Sequence, residues 1–190
     1  MPDLFNREIK YVCTAHRSIN QRRQYTNEPY ENHCIAVAEL VWIATQDVDT
    51  TIAALGHDLE EDVSLVNPLY TRKHIQDNLG EHAESIIYEV SNVYVKEAFP
   101  NLNREERKSL EYTRLSSISI EAKNVKLPDI SHNCGDLTII CPDFARVYIP
   151  EKVKVMGILR DANPILYSNA FNILATELFR LKTIHQHLDR

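Results

Sequence analysis

The residues with the strongest chemical signature are His33, the adjacent pair His57-Asp58, and Asp129. Two neutral imidazoles and two carboxylates form a mixed nitrogen and oxygen donor set suited to Mn²⁺, Fe²⁺ or Zn²⁺, with Mg²⁺ also open. On an octahedral ion, four protein ligands leave two positions for a water and a substrate oxygen. Glu61 and Asp62 follow Asp58 by three and four residues, so a continuing helix would project them from nearly the same face. A carboxylate pair beside a metal-activated water can orient it and take its proton. Asp58, Glu60, Glu61 and Asp62 would equally make a solvated acidic helix end, and their spacing alone does not separate the two.

The elements that must carry these groups are helical. Only 4 glycines occur, and no alternating strand pattern of useful length stands out. After His33, apolar residues at 34, 35, 38, 41 and 42 recur at helical spacing. His57-Asp58 closes an apolar run, Thr51 to Gly56, for which Asp49 is a plausible N-cap. Adjacent helical residues diverge by about 100°, so both can reach one ion only if it lies over the ridge between them. The other ligands must then arrive from other helices, a role that suits His33 and Asp129.

Further helices are expected over 4–17, from Thr71 to Leu79 with Gly80 as the stop, and over 82–98. Asn103 with Glu106 reads as a capping box opening a helix to about 117. Asn163-Pro164 starts a final helix, 163–187, because proline suits the first helical position. Its face of Leu166, Ala170, Ile173, Leu174, Leu178 and Leu181 belongs to the core or to a subunit interface, so a homo-oligomer stays open. The expected fold is all-α, a single helical bundle spanning 1–190.

The 21 basic and 27 acidic side chains give a formal net charge of −6. That charge disfavours nonspecific nucleic-acid binding. An acidic protein that holds a polyphosphate needs a local cationic patch, and Arg22-Arg23 is the natural one, since planar guanidinium groups suit bidentate phosphate contacts. The alternative is a basic loop paired with nearby acids. No apolar run approaches 18 residues and no signal-peptide pattern opens the chain, so neither membrane insertion nor export is expected and the location should be cytoplasmic. Cys13, Cys34, Cys134 and Cys141 form no Cys-x-x-Cys pair and read as reduced thiols; Cys34 is expected to pack, not to bind.

Four blocks give the chain a resemblance to the HD phosphohydrolase superfamily. They are Ala15-His16-Arg17 through Arg22-Arg23, then Pro29 to His33, Ala53 to Asp62, and Ala122 to Asn133. Within that superfamily it resembles the hydrolase domain of RelA/SpoT alarmone enzymes, most of all the small stand-alone hydrolases, over about residues 5 to 160. Glu61-Asp62 after the His-Asp pair and the Val125-Lys126-Leu127 run closing with Asn133 point to that branch. The resemblance implies a Mn²⁺-dependent hydrolase removing the 3′-pyrophosphate of (p)ppGpp, without synthetase activity. It implies His33, His57, Asp58 and Asp129 as metal ligands and Glu61 with Asp62 as the water-positioning base. Arg22 and Arg23 would face the phosphates, Asn133 the ribose or a phosphate, and Arg146 and Tyr148 the nucleoside.

The chain departs from the family in three places. Pro128 precedes Asp129 where relatives carry a small helix former, and a proline costs a helix interior about 3 kcal/mol and bends it. Val90-Ser91-Asn92 replaces a more acidic family segment. Arg146 and Tyr148 stand two apart where relatives have four. Two other functions therefore stay in view: a phosphohydrolase for another nucleotide such as NADPH, and a catalytically silent alarmone-binding protein.

Overall fold

The computed structural model describes residues 4–188, with side chains described through residue 183. Its elements are α1 (Asn6–Ser18), α2 (Glu31–Thr45), α3 (Val48–Gly56), α4 (Arg72–Leu79) and α5 (Glu81–Val90). After these come α6 (Arg104–Leu115), α7 (Ile120–Cys134), α8 (Leu137–Ile140), α9 (Pro142–Ile158) and α10 (Pro164–Leu188). A π-helical turn, Leu59–Val63, follows α3. Among the described residues no strand forms, and the one β-bridge joins Arg22 to Pro29 across a loop. The all-α expectation holds.

Three helices make the centre. α3 is buried at every position from Thr50 to Gly56, and α7 from Ala122 to Ser131. α2 lies against both and buries His33, Cys34, Val37, Ala38 and Val41 on one side. α5 covers α3 and α7, α10 covers α7, and α1 closes over α3 and the π-helical turn. On α10, Leu166, Ala170 and Leu174 are buried and Ile173, Leu178 and Leu181 pack partly buried against them, so this face is core.

Local chemistry sets several boundaries. The cap of α3 is Asp47 and not Asp49: its carboxylate accepts from the Thr50 N–H at 2.7 Å. Asn103 and Glu106 form the expected capping box on α6. Thr71 caps α4, and Gly80 follows it at φ 97°, a value glycine adopts without strain. The first helix begins at Asn6, leaving Leu4 exposed and Phe5 buried against the Trp42 ring.

The expected helix over 82–98 stops at Val90. Its last carbonyls are taken by cations from neighbouring helices: Arg114 donates to Glu89 O and Ser91 O, and Lys126 to Val90 O. Positive groups at a helix C-terminus satisfy the open carbonyls and favour the dipole. The chain then turns away extended, and the Glu111 carboxylate receives the N–H groups of Val93 and Tyr94.

Pro128 does not end α7, which runs through to Cys134. Burial of this helix against α2, α3, α5 and α10 outweighs the local cost of the proline.

The reassigned cap is directly testable. Asp47→Ala should lower stability by about 1 kcal/mol in urea unfolding, whereas Asp49→Ala should change it by less than about 0.5 kcal/mol.

Candidate metal centre

His33 sits in the first turn of α2, His57 directly follows α3, and Asp129 lies in the second half of α7. The end of α3 is held by close packing: a Cβ on Gly56 would lie 2.8 Å from methyl groups of Ile87 and Leu79. After it the backbone leaves α-geometry, with Asp58 at φ −101°, ψ 2°, and enters the π-helical turn. This change of winding swings Asp58 beside His57, so the two neighbours serve one point.

The donor atoms converge. His33 Nε2 and His57 Nε2 are 3.2 Å apart, and Asp58 Oδ2 lies 3.0 Å from His57 Nε2 and 3.6 Å from His33 Nε2. His33, His57 and Asp58 place one ligand atom each within 4.8 Å of one another. Asp129 Oδ1 reaches the same two ring nitrogens at 3.4 and 3.7 Å. Both histidines and Asp129 are buried.

The surrounding hydrogen bonds test whether these residues fit a cation. His57 Nδ1 lies 2.8 Å from Ala54 O, a carbonyl that can only accept, so Nδ1 carries a proton and Nε2 is the atom that a cation would meet. Two imidazole lone pairs and two carboxylate oxygens around one point repel unless a positive charge joins them. The ionisation of the group reflects that demand. Burial works against charge on His57, yet Asp58 and Asp129 outweigh it and hold the ring well above the usual histidine range. Burial likewise opposes charge on Asp58 and Asp129, and the two rings reverse the balance, holding both carboxyls below the carboxylate range. The set fits a divalent ion, and none of the ligands is a thiolate.

Neighbouring side chains orient the ligands. The Tyr30 hydroxyl donates to Asp58 Oδ2 at 2.7 Å, and burial followed by the Asp58 charge keeps that phenol protonated. Asn133 Nδ2 donates to Asp129 Oδ1 at 2.5 Å. His132 Nδ1 lies 2.9 Å from His33 Nδ1. Partial desolvation by its packed neighbours, then the His33 ring, lowers the His132 pKa to about 4.

The two acids after the pair part company. Asp62 faces the cavity beside the centre, where burial and then Asp58 push its carboxyl up to about 6. Gln21 Nε2 donates to Asp62 Oδ2 at 2.6 Å, and Gln21 Oε1 accepts from His16 Nδ1 at 2.7 Å. Glu61 is instead clasped by Asn92, whose backbone N–H and side-chain amide reach its oxygens at 2.8 to 2.9 Å. The π-helical winding separates side chains that an α-helix would stack.

The cavity has a volume of about 600 Å³. Its polar lining includes Arg22, Arg23, Asp62, His132 and Asn133, and its apolar lining Tyr25, Leu137, Ile140, Phe144 and Tyr148. Phe144 stacks on Tyr148 with centroids 5.0 Å apart, and Tyr25 lies 5.9 Å from Phe144. Arg22, Arg23, Asn133 and Tyr148 all line this cavity. Arg146 does not line the cavity; it is exposed and pairs with Asp143. Cys34 is buried, as expected, 3.5 Å from His16 Nε2. Tyr30, Gln21, Asn92 and His132 were not singled out by spacing. A signal existed for Tyr30, three residues before His33, and for His132, beside Asn133.

No helix among the described residues is long and apolar enough to cross a membrane. The HD domain family model matches residues 10–122. A Xenopus tropicalis protein named guanosine-3′,5′-bis(diphosphate) 3′-pyrophosphohydrolase MESH1 is 30% identical over 163 residues, 82% of this chain and 84% of its own. The Drosophila melanogaster protein of the same name is 28% identical over 137 residues, 70% of this chain and 69% of its own. A solved structure described as a metazoan ortholog of SpoT that hydrolyses ppGpp superposes with a TM-score of 0.75 at 26% identity. That superposition covers 90% of this chain and 94% of the other. The matched region includes His33, His57 and Asp58, and this chain belongs to the HD domain family.

Proposed function

We propose that this chain is a Mn²⁺-dependent 3′-pyrophosphohydrolase of (p)ppGpp, yielding GDP or GTP and pyrophosphate. One observation carries the reading. The His33, His57, Asp58 and Asp129 group adjoins, through Tyr30, His132 and Asn133, a cavity lined by two arginines, by Asp62 with its raised pKa, and by the aromatic rings of Tyr25, Phe144 and Tyr148. The names borne by the MESH1 relatives and by the matched structure support the same substrate.

His33, His57, Asp58 and Asp129 would hold a divalent ion, which would supply Lewis acidity for the hydrolysis. Asp62 takes the proton of the attacking water, because it faces the cavity and its pKa lies near working pH. Gln21 holds that carboxylate in place, itself braced by His16. Glu61 acts through Asn92, fixing the π-helical turn that aims Asp58 and Asp62. Arg22 and Arg23 neutralise the pyrophosphate, and Asn133 steadies Asp129 while facing the cavity. Tyr148 and Phe144 offer flat apolar surface to the base. Water attacks the phosphorus attached to the 3′ oxygen, a new P–O bond forms as the old one breaks, and the 3′ oxygen leaves as a hydroxyl with the proton that Asp62 took from the water. Of the two residues expected at the nucleoside, Tyr148 lines the cavity and takes that role here, while Arg146 is exposed and paired with Asp143.

Metal dependence checks the ligand set. Asp58→Asn should lose Mn²⁺ by elemental analysis and lose turnover while its helical circular dichroism is kept. Retained turnover in that variant would remove the assignment.

The pH profile checks the base. The carboxylate is the active form, so kcat/KM for ppGpp should rise as pH climbs through about 6 and level off above it. Asp62→Asn should cut kcat by ~10²–10⁴-fold with bound metal unchanged and should abolish that acid limb. Arg23→Ala should raise KM for ppGpp with kcat less affected, and added salt should mimic part of the effect. Faster turnover of NADPH than of ppGpp by the unmodified protein would identify a different nucleotide as substrate.

A further inference from the structure

His132 is a cavity-lining histidine to which the mechanism above gives no task. It is exposed, it lines the cavity along with Arg23 and Asn133, and its Nδ1 is 2.9 Å from Nδ1 of the buried His33. The two rings approach with centroids 4.8 Å apart.

The direction of this hydrogen bond is forced by chemistry. His33 points Nε2 at the metal centre, 3.2 Å from His57 Nε2 and 3.4 Å from Asp129 Oδ1. A ring nitrogen that binds a cation carries no proton, so His33 must carry its proton on Nδ1. That N–H donates to His132 Nδ1, which therefore accepts and is itself unprotonated. A neutral imidazole with a bare Nδ1 carries its hydrogen on Nε2. Nε2 is the one polar atom of His132 left for the cavity, and it is left as a donor.

We propose that His132 is a phosphate-binding N–H donor whose tautomer is set by the metal ligand His33. Occupation of the metal centre thereby prepares the phosphate seat: Nε2–H of His132 joins the guanidinium of Arg23 in facing the pyrophosphate group. The inference rests on His33 as a ligand. It needs only that the occupant be a pyrophosphate or phosphate ester, so it outlives a change of nucleoside.

The test uses Zn²⁺, which is diamagnetic, and inorganic pyrophosphate as the probe. Long-range ¹H–¹⁵N spectra of histidine-labelled, Zn²⁺-loaded protein should show His132 as the Nε2–H tautomer. Its Nε2 resonance should shift on adding pyrophosphate. His132→Asn places an amide oxygen where Nδ1 stood and removes the distal donor. It should keep Zn²⁺ affinity within about 3-fold and weaken pyrophosphate binding ~10-fold or more. His132→Phe removes both functions and should also weaken Zn²⁺ by ~10-fold or more, as loss of an orienting partner does. An Nδ1–H tautomer in the loaded protein would overturn the proposal, as would undiminished pyrophosphate binding by His132→Asn. Failure of ppGpp to turn over, with these binding results intact, would count against the substrate assignment alone.

Discussion

The structure depends on holding four electron-rich groups together inside a helical core. His33, His57, Asp58 and Asp129 come from two helices, a helix end and the turn after it. Unpaired charge in such surroundings costs several kcal/mol. The site is therefore stable only with a cation or protons between the ligands, and the fold supplies the rest of the compensation. Tyr30, Asn133 and the Ala54 carbonyl each occupy a further lone pair or N–H of a ligand. The packing of α2, α3 and α7 is as much a condition of the site as its consequence.

A second layer converts this centre into a directional one. The winding changes from α to π immediately after Asp58, and that change sends Asp62 into the cavity while Glu61 turns to Asn92. π-helical turns inside helical proteins commonly mark functional sites. Here the physical gain is separation of two adjacent acids. One is free to take a proton and is tuned by burial and by Asp58; the other ties the turn to the end of α5. The short replacement segment Val90-Ser91-Asn92 thus supplies the donor that closes the turn.

Much of this was legible in the residues and some was not. The convergence of His33, His57, Asp58 and Asp129 was readable because their types and order invite a shared centre, and Arg22-Arg23 stood out against a net charge of −6. The α10 face was readable from periodicity alone. The helix over 82–98 was misread because its end is written by Arg114, Lys126 and Glu111, distant in sequence, and not by a local breaker. The local cost of Pro128 is visible in sequence, while the burial that lets α7 run through it is not. The Glu61-Asp62 pairing assumed a uniform α-helix, and a π-helical turn has no simple sequence mark. Arg146 fell outside the cavity because helix α9 turns that position outward while Tyr148 faces in.

The central claim is that one divalent ion sits among His33, His57, Asp58 and Asp129. Anomalous diffraction at the manganese edge from Mn²⁺-loaded crystals tests it most directly. The account predicts a single strong peak in contact with both Nε2 atoms and with a carboxylate oxygen of Asp58 and of Asp129. A peak elsewhere, or none at this position in protein that hydrolyses its substrate, would contradict it.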